Sequence, residues 1–165
     1  MVVTFYAAAS VAVIATALAI SRTNVVHGLL YLIVSLLAVA LMFLSLDAPF
    51  VAALEVIIYA GAIMVLFVFV MMLLNLGPQA VAQERGWLPP RAWIGPLVLT
   101  LALVAELVAV LASPGPTAVR GMGGPRQVGI VLFGPYVVGV ELASMLLLSG
   151  LIGASRLGRP GAERK

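Results

Sequence analysis

The sequence contains no cysteine and a single histidine. Thiolates hold iron–sulfur clusters and form disulfides, so this chain can build neither, and one imidazole cannot by itself make a zinc, haem or copper centre. If the protein takes part in redox chemistry, the electrons travel elsewhere. Charge is scarce too: Asp, Glu, Lys and Arg make up 9% of the residues, against about 25% in ordinary soluble domains. The sequence has no Gly-rich phosphate loop, no nucleophile paired with a base and no cluster of metal ligands, so nothing in it is a self-contained enzyme. A net charge of +3 raises nucleic acid as a partner. The basic residues, however, are scattered at the ends of apolar segments and not clustered with aromatics, which argues for membrane orientation instead.

What is abundant is apolar surface. Hydrophobic residues make up 64% of the chain and the mean hydropathy is +1.22, which excludes a soluble globule of 165 residues. The expectation is an all-α integral membrane protein, one membrane domain over residues 1–165, with five transmembrane helices. The spans fall at about 2–21, 28–46, 50–74, 93–112 and 135–154. Nothing positive precedes Val2 while Arg22 follows the first span, so that span reads as a retained helix and not a signal peptide. Asp47-Ala48-Pro49 makes a tight hairpin between the second and third spans, because Pro cannot continue a helix. Trp87 and Trp93 flank the fourth span where indoles favour the membrane interface. Ser113–Gln127, rich in Pro and Gly, reads as a loop, and Val128–Phe133 as a short interfacial segment before Gly134-Pro135.

Loop charges set the orientation. Arg22, Arg85, Arg91, Arg156, Arg159, Arg164 and Lys165 share one side, and only Arg120 and Arg126 lie on the other. The positive-inside rule then places the C-terminus in the cytoplasm and the N-terminus outside.

Phe50–Leu74 organises the rest. Its 25 residues are apolar apart from Glu55 and the hydroxyl of Tyr59, and at ~1.5 Å per residue they exceed the ~30 Å hydrocarbon core of a bilayer. Glu106 and Glu141 are the other carboxylates inside spans, each five or six residues from the same side as Glu55, hence at one depth of ~8–9 Å. A carboxylate there is expensive by a few kcal/mol, so it faces protein, pairs or takes up a proton, or else only hydrogen-bonds a neighbouring helix. Tyr59 lies four residues after Glu55, and Ser144 three after Glu141, each on the same helical face. Glu106 has no such support. Gly61, between Ala60 and Ala62, is either a packing notch or a hinge or π-bulge that would rotate Met64, Val65, Phe67 and Phe69 relative to Glu55. His27 reads as an interfacial polar contact, and the methionines as packing filler.

The run ALEVIIYAGAIMVLFVFVMMLLNLG, Ala53–Gly77, closely resembles the third helix of subunit J of the proton-pumping NADH:quinone oxidoreductase, respiratory complex I. TNVVHGLLYLIVSLLAVALMFLSLDAPF looks like that family's second helix and hairpin, QERGWLPPRAWIGP like its third loop, and VGIVLFGPYVVGVELASMLLLSGLIGA like its last helix. The details look most like bacterial members. The resemblance implies an inner-membrane subunit packed against subunits A, H and K, with FMN, iron–sulfur clusters, NADH and quinone handled by other subunits. It also implies a third helix that changes between α and π forms at Tyr59, Ala60 and Gly61, gating a water chain. On that reading Tyr59 orients water, Glu55 and Glu141 relay or sense a proton, and Val65 and Phe67 form an apolar gate beside Met64. Two rival readings are a small subunit of a multisubunit cation/proton antiporter and a purely structural membrane scaffold.

Overall fold

The computed structural model describes residues 2–22, 24–74, 93–112 and 124–158. The stop signal at Asn75–Pro78, the loop with Trp87, most of the Ser113–Gln127 loop and the basic tail beyond Gly158 lie outside the described residues. All regular structure among the described residues is helical, and five helices are long and apolar enough to cross a membrane. This is a multi-pass membrane protein.

The helices are α1 (Val2–Ser21), α2 (Val25–Ser45), α3 (Pro49–Leu54), a π-helical segment (Glu55–Ile63), α4 (Met64–Leu74), α5 (Ile94–Ala112), α6 (Pro125–Leu132) and α7 (Val137–Leu157). α3, the π segment and α4 run on as a single span, Pro49–Leu73. The chain divides into two compact units, residues 1–124 and 125–165.

Most expected ends shift by a few residues, each for a local reason. α2 starts at Val25 and not near Gly28, because the Asn24 side chain accepts the amides of Val26 (2.9 Å) and His27 (3.4 Å) and caps the first turn. Its other end closes with Asp47 at φ 58°, a left-handed position that Asp tolerates better than most residues. The Ala48 amide donates to the Phe43 carbonyl (3.1 Å) and the Asp47 amide to that of Leu44 (3.2 Å), the Schellman arrangement that satisfies a helix's last carbonyls. Pro49 then opens α3, its missing amide harmless in a first turn.

In the first unit α1, α2 and α5 share the core. Ala8, Ala12 and Ala15 on α1 meet Val34, Ala38 and Leu41 on α2, with Leu103 of α5. Small side chains let the backbones approach closely, and in hydrocarbon such packing replaces the hydrophobic effect as the source of helix association. The seam also carries hydrogen bonds. The hydroxyls of Thr16 and Ser35 are 2.7 Å apart, and that of Ser35 donates to the Ala12 carbonyl at 3.2 Å.

In the second unit the loop reading for Pro125–Gln127 is corrected. Those residues are the first turn of α6, with Pro at a position where it needs no intrahelical partner. A tight turn, Phe133–Tyr136, follows. Gly134 is required there, since a Cβ would come within 2.7 Å of the Ile130 carbonyl oxygen. α7 consequently begins at Val137, later than Pro135, and continues to Leu157.

Candidate functional site

The third span changes hydrogen-bond register at the residues singled out in the sequence. At its start the Glu55 amide bonds the carbonyls of Val51 and Ala52, an α or tighter spacing. At its end the Met64 amide reaches back to the carbonyl of Tyr59, five residues earlier, as well as to that of Gly61. The segment between thus holds an extra residue relative to an α-helix, and one residue corresponds to a rotation of about 100° for everything downstream.

Gly61 fits this register closely. A Cβ there would lie 3.1 Å from the Val56 carbonyl oxygen, the atom five residues back, and no atom of another helix among the described residues lies within 4 Å of it. Among the described residues the crowding at Gly61 comes from its own segment.

Side chains divide around the helix. Met64 is buried, at 1% exposure, while Tyr59, Val65 and Phe67 are about half or more exposed, at 48%, 67% and 49%. Glu55, Ala60 and Gly61 are partly buried. No ion pair or side-chain hydrogen bond engages Glu55 or Tyr59 among the described residues. The Glu55–Tyr59 face is thus completed by no side-chain partner among the described residues.

The other two carboxylates lie on other helices. Glu106 is on α5, its carboxyl beside the backbone of Ala8 in α1, and its Oε1 is enclosed without a hydrogen-bond partner. Glu141 lies four residues into α7. The Ser144 hydroxyl donates to the backbone carbonyl of Glu141 at 2.7 Å, so the serine supports the helix and not the carboxylate.

These features mark the third span as the candidate site, and comparison with known proteins gives it a family. Residues 15–157 match the family described as NADH-ubiquinone/plastoquinone oxidoreductase chain 6. NADH-quinone oxidoreductase subunit J of Pseudomonas aeruginosa is 57% identical over 164 residues, covering 97% of this chain and 98% of that protein. The chain belongs to this subunit J family. Subunit J of Escherichia coli K12 is 52% identical over 156 residues, 94% of this chain and 85% of that protein. A more divergent subunit J, from Buchnera aphidicola of Baizongia pistaciae, is 37% identical over 157 residues, 94% of this chain and 96% of its own length.

In this subunit J family member a second polar cluster, which the sequence reading took for interfacial contact, is packed inside the chain. His27 is 7% and Tyr31 3% exposed, one turn apart on α2. The Arg22 guanidinium stands 5.3 Å from the centre of the Tyr31 ring, a cation–π distance. The backbone of Gly95, at the start of α5, lies so close to the Tyr31 hydroxyl that a Cβ would collide with it. Asn24 Nδ2 and His27 Nε2 are enclosed without hydrogen-bond partners among the described residues. The Gly95-Pro96 pair at the head of a span was the available sequence signal, since Gly permits a backbone approach that no other residue does. No group of three metal-ligating side chains occurs among the described residues.

Proposed function

We propose that this chain is a non-redox membrane subunit of a proton-translocating NADH:quinone oxidoreductase in a bacterial inner membrane, and that its third span couples quinone reduction to proton movement. The observation that carries the reading is the nine-residue π segment Glu55–Ile63 inside the third span, opening on a carboxylate and containing Tyr59 and Gly61. π segments interrupt α-helices chiefly at functional sites, because the extra residue is tolerated only where something is gained from it. Reversion to an α register would turn the segment beyond it by about 100° relative to Glu55. That rotation makes or breaks a water path past Tyr59, with Val65 and Phe67 as its apolar gate and Met64 as the inward anchor. Glu55, and with it Glu141, accepts and returns the proton.

The partly exposed Glu55–Tyr59 face means that the path runs along the boundary with a neighbouring subunit, for which A, H and K are the partners proposed. FMN, iron–sulfur clusters and quinone belong to other subunits; without cysteine, this chain supplies no thiolate ligand set for a cluster. The loop charges favour the N-terminus outside and the C-terminus in the cytoplasm.

The test uses inverted membrane vesicles with this chain deleted or restored, recording NADH-driven quinone reduction and lumen acidification together. Loss of both on deletion and return of both on restoration is the expected result. Persistence of both, with loss of Na⁺/H⁺ exchange, would replace this reading by the antiporter one.

A further inference from the structure

Between the third and fourth spans lies a cleft of about 320 Å³ that the coupling reading does not use. Its floor is α2, where Ala40 and Leu41 are buried. Ala53 and Val56 form the rim of one wall, and Val104 and Leu107 the rim of the other, all four exposed. Leu44 and Pro49 close the end nearest the α2–α3 hairpin, and Thr100 is the one polar residue in the lining.

Three observations identify the occupant. The rim residues are exposed and belong to helices long and apolar enough to cross a membrane, so the cleft opens at a depth where hydrocarbon is available to fill it. Its length is limited: the lining on α2 runs from Leu37 to Leu44, ~10 Å at ~1.5 Å per residue. That matches most of one leaflet, half of a ~30 Å hydrocarbon core, and is far too short to seat a second transmembrane helix. Finally, the hairpin at the cleft's end carries Asp47, exposed, the only charged residue between Val25 and Leu54, and without an ion pair among the described residues. A headgroup bearing an amine complements it, and a purely anionic one does not.

We propose that this cleft binds one acyl chain of a phospholipid whose amine-bearing headgroup, of the ethanolamine class, sits at Asp47. The chain fills space that would otherwise stand empty against Ala40, Ala52 and Leu103, where unfilled volume is destabilising. Its wall includes Ala53 and Val56, the residues on either side of Leu54 and Glu55, so the lipid covers the apolar flank of the span at the point where the π register begins.

The full chain is tested in native membranes, in whatever assembly it occupies, reconstituted with phosphatidylethanolamine carrying a photoreactive group on one acyl chain. Labelled peptides are mapped by mass spectrometry. Labelling should concentrate on residues 37–44 and 100–107, and fall severalfold in Ala53→Leu and in Val104→Trp, two rim substitutions that narrow the cleft from opposite walls without entering the core. Asp47→Asn should reduce the preference for phosphatidylethanolamine over phosphatidylglycerol by up to about fivefold, the ratio an exposed ion pair supports. Labelling no denser in the cleft than on the exposed face of α4 would overturn the proposal. So would cleft residues shielded by a neighbouring protein, or a photoreactive quinone that labels the cleft in place of the lipid. An unchanged headgroup preference in Asp47→Asn would remove Asp47 from it. None of these readouts depends on proton pumping, so their failure is separate from failure of the coupling reading.

Discussion

Substitution at Gly61 separates the π register from its alternative with the smallest possible change. In an α-helix alanine is favoured over glycine by about 1 kcal/mol. In the π segment the added Cβ would sit 3.1 Å from the Val56 carbonyl oxygen, a few tenths of an ångström inside ordinary contact. Moving that carbonyl means bending bonds or weakening its hydrogen bond, at a cost of roughly 0.5–1 kcal/mol. Both registers are helical and share the alanine preference, so the crowding decides: Gly61→Ala should shift the balance toward the α register by about 0.5–1 kcal/mol, a factor of roughly 2–5 in the ratio of the two forms. Gly61→Val places a branched, rotamer-restricted side chain at the same spot and should shift it further. The assay is NADH-driven quinone reduction and proton pumping in inverted vesicles, each normalised to assembled complex, with the register of residues 55–63 read from a structure of the variant. Pumping should fall at least as much as electron transfer, and more in Gly61→Val than in Gly61→Ala. Normal values of both activities in fully assembled Gly61→Val complex would refute the hinge reasoning.

Other consequences follow from the packing. Gly95→Ala drives a methyl group into the Tyr31 hydroxyl, and overpacking of this kind costs about 1–3 kcal/mol. Yield and thermal stability of the complex should drop, with partial recovery in Gly95→Ala/Tyr31→Phe, where the colliding oxygen is gone. The Thr16–Ser35 contact at 2.7 Å should give a coupling energy of about 0.6 kcal/mol in a Thr16→Val/Ser35→Ala double-mutant cycle of stability, the usual size for hydrogen bonds between membrane helices. Zero coupling would show that the two hydroxyls act only through their own helix backbones. Glu141→Gln should lower the protons pumped per NADH oxidised without changing assembly; an unchanged yield makes Glu141 a structural residue.

The sequence was most informative where one physical requirement dominates. Runs of about twenty apolar residues have few alternatives to a membrane helix, and the five long helices lie within a few residues of their expected limits. Ends were misplaced where a side chain acts on the backbone. The Asn24 cap lengthens α2 by three residues relative to the start at Gly28, and the turn that demands Gly134 delays α7. Composition around Pro125 suggested a loop because Pro and Gly punctuate most segments, yet Pro in a first helical turn is neutral or favourable.

At the candidate site the pattern of residues was legible and their surroundings were not. The sequence could name Glu55, Tyr59 and Gly61, since a carboxylate and a mid-helix glycine are exceptional in a membrane span. Periodicity alone could not decide between a notch against another helix and crowding within the segment, because both ask for a small residue. The structure adds one observation, that a Cβ at Gly61 would crowd the Val56 carbonyl of its own segment. Sequence spacing likewise suggested that Ser144 supports the Glu141 carboxylate, and could not show that its hydroxyl serves the backbone instead. For His27, expected as an interfacial polar contact near a helix end, the structure adds that α2 buries it within the first unit.

The division of the third span into a buried and an outward side has a mechanistic consequence. Met64, held inside, fixes one edge of the segment, whereas Tyr59, Val65 and Phe67 are about half or more exposed among the described residues. If Met64 holds its place, Val65 and Phe67 on the same helix hold theirs, and a change of register would turn Glu55 and Tyr59 relative to them. The energy needed is small, because the α and π forms differ by one residue's placement and not by a rebuilt core. What a neighbour presents to Tyr59 then decides which register is stable: a polar side chain or a water favours the register that brings the hydroxyl to it, and hydrocarbon favours neither. On the proposed reading, coupling by this span would be a property of an interface, with Gly61 keeping both registers accessible and whatever packs on Tyr59 selecting between them.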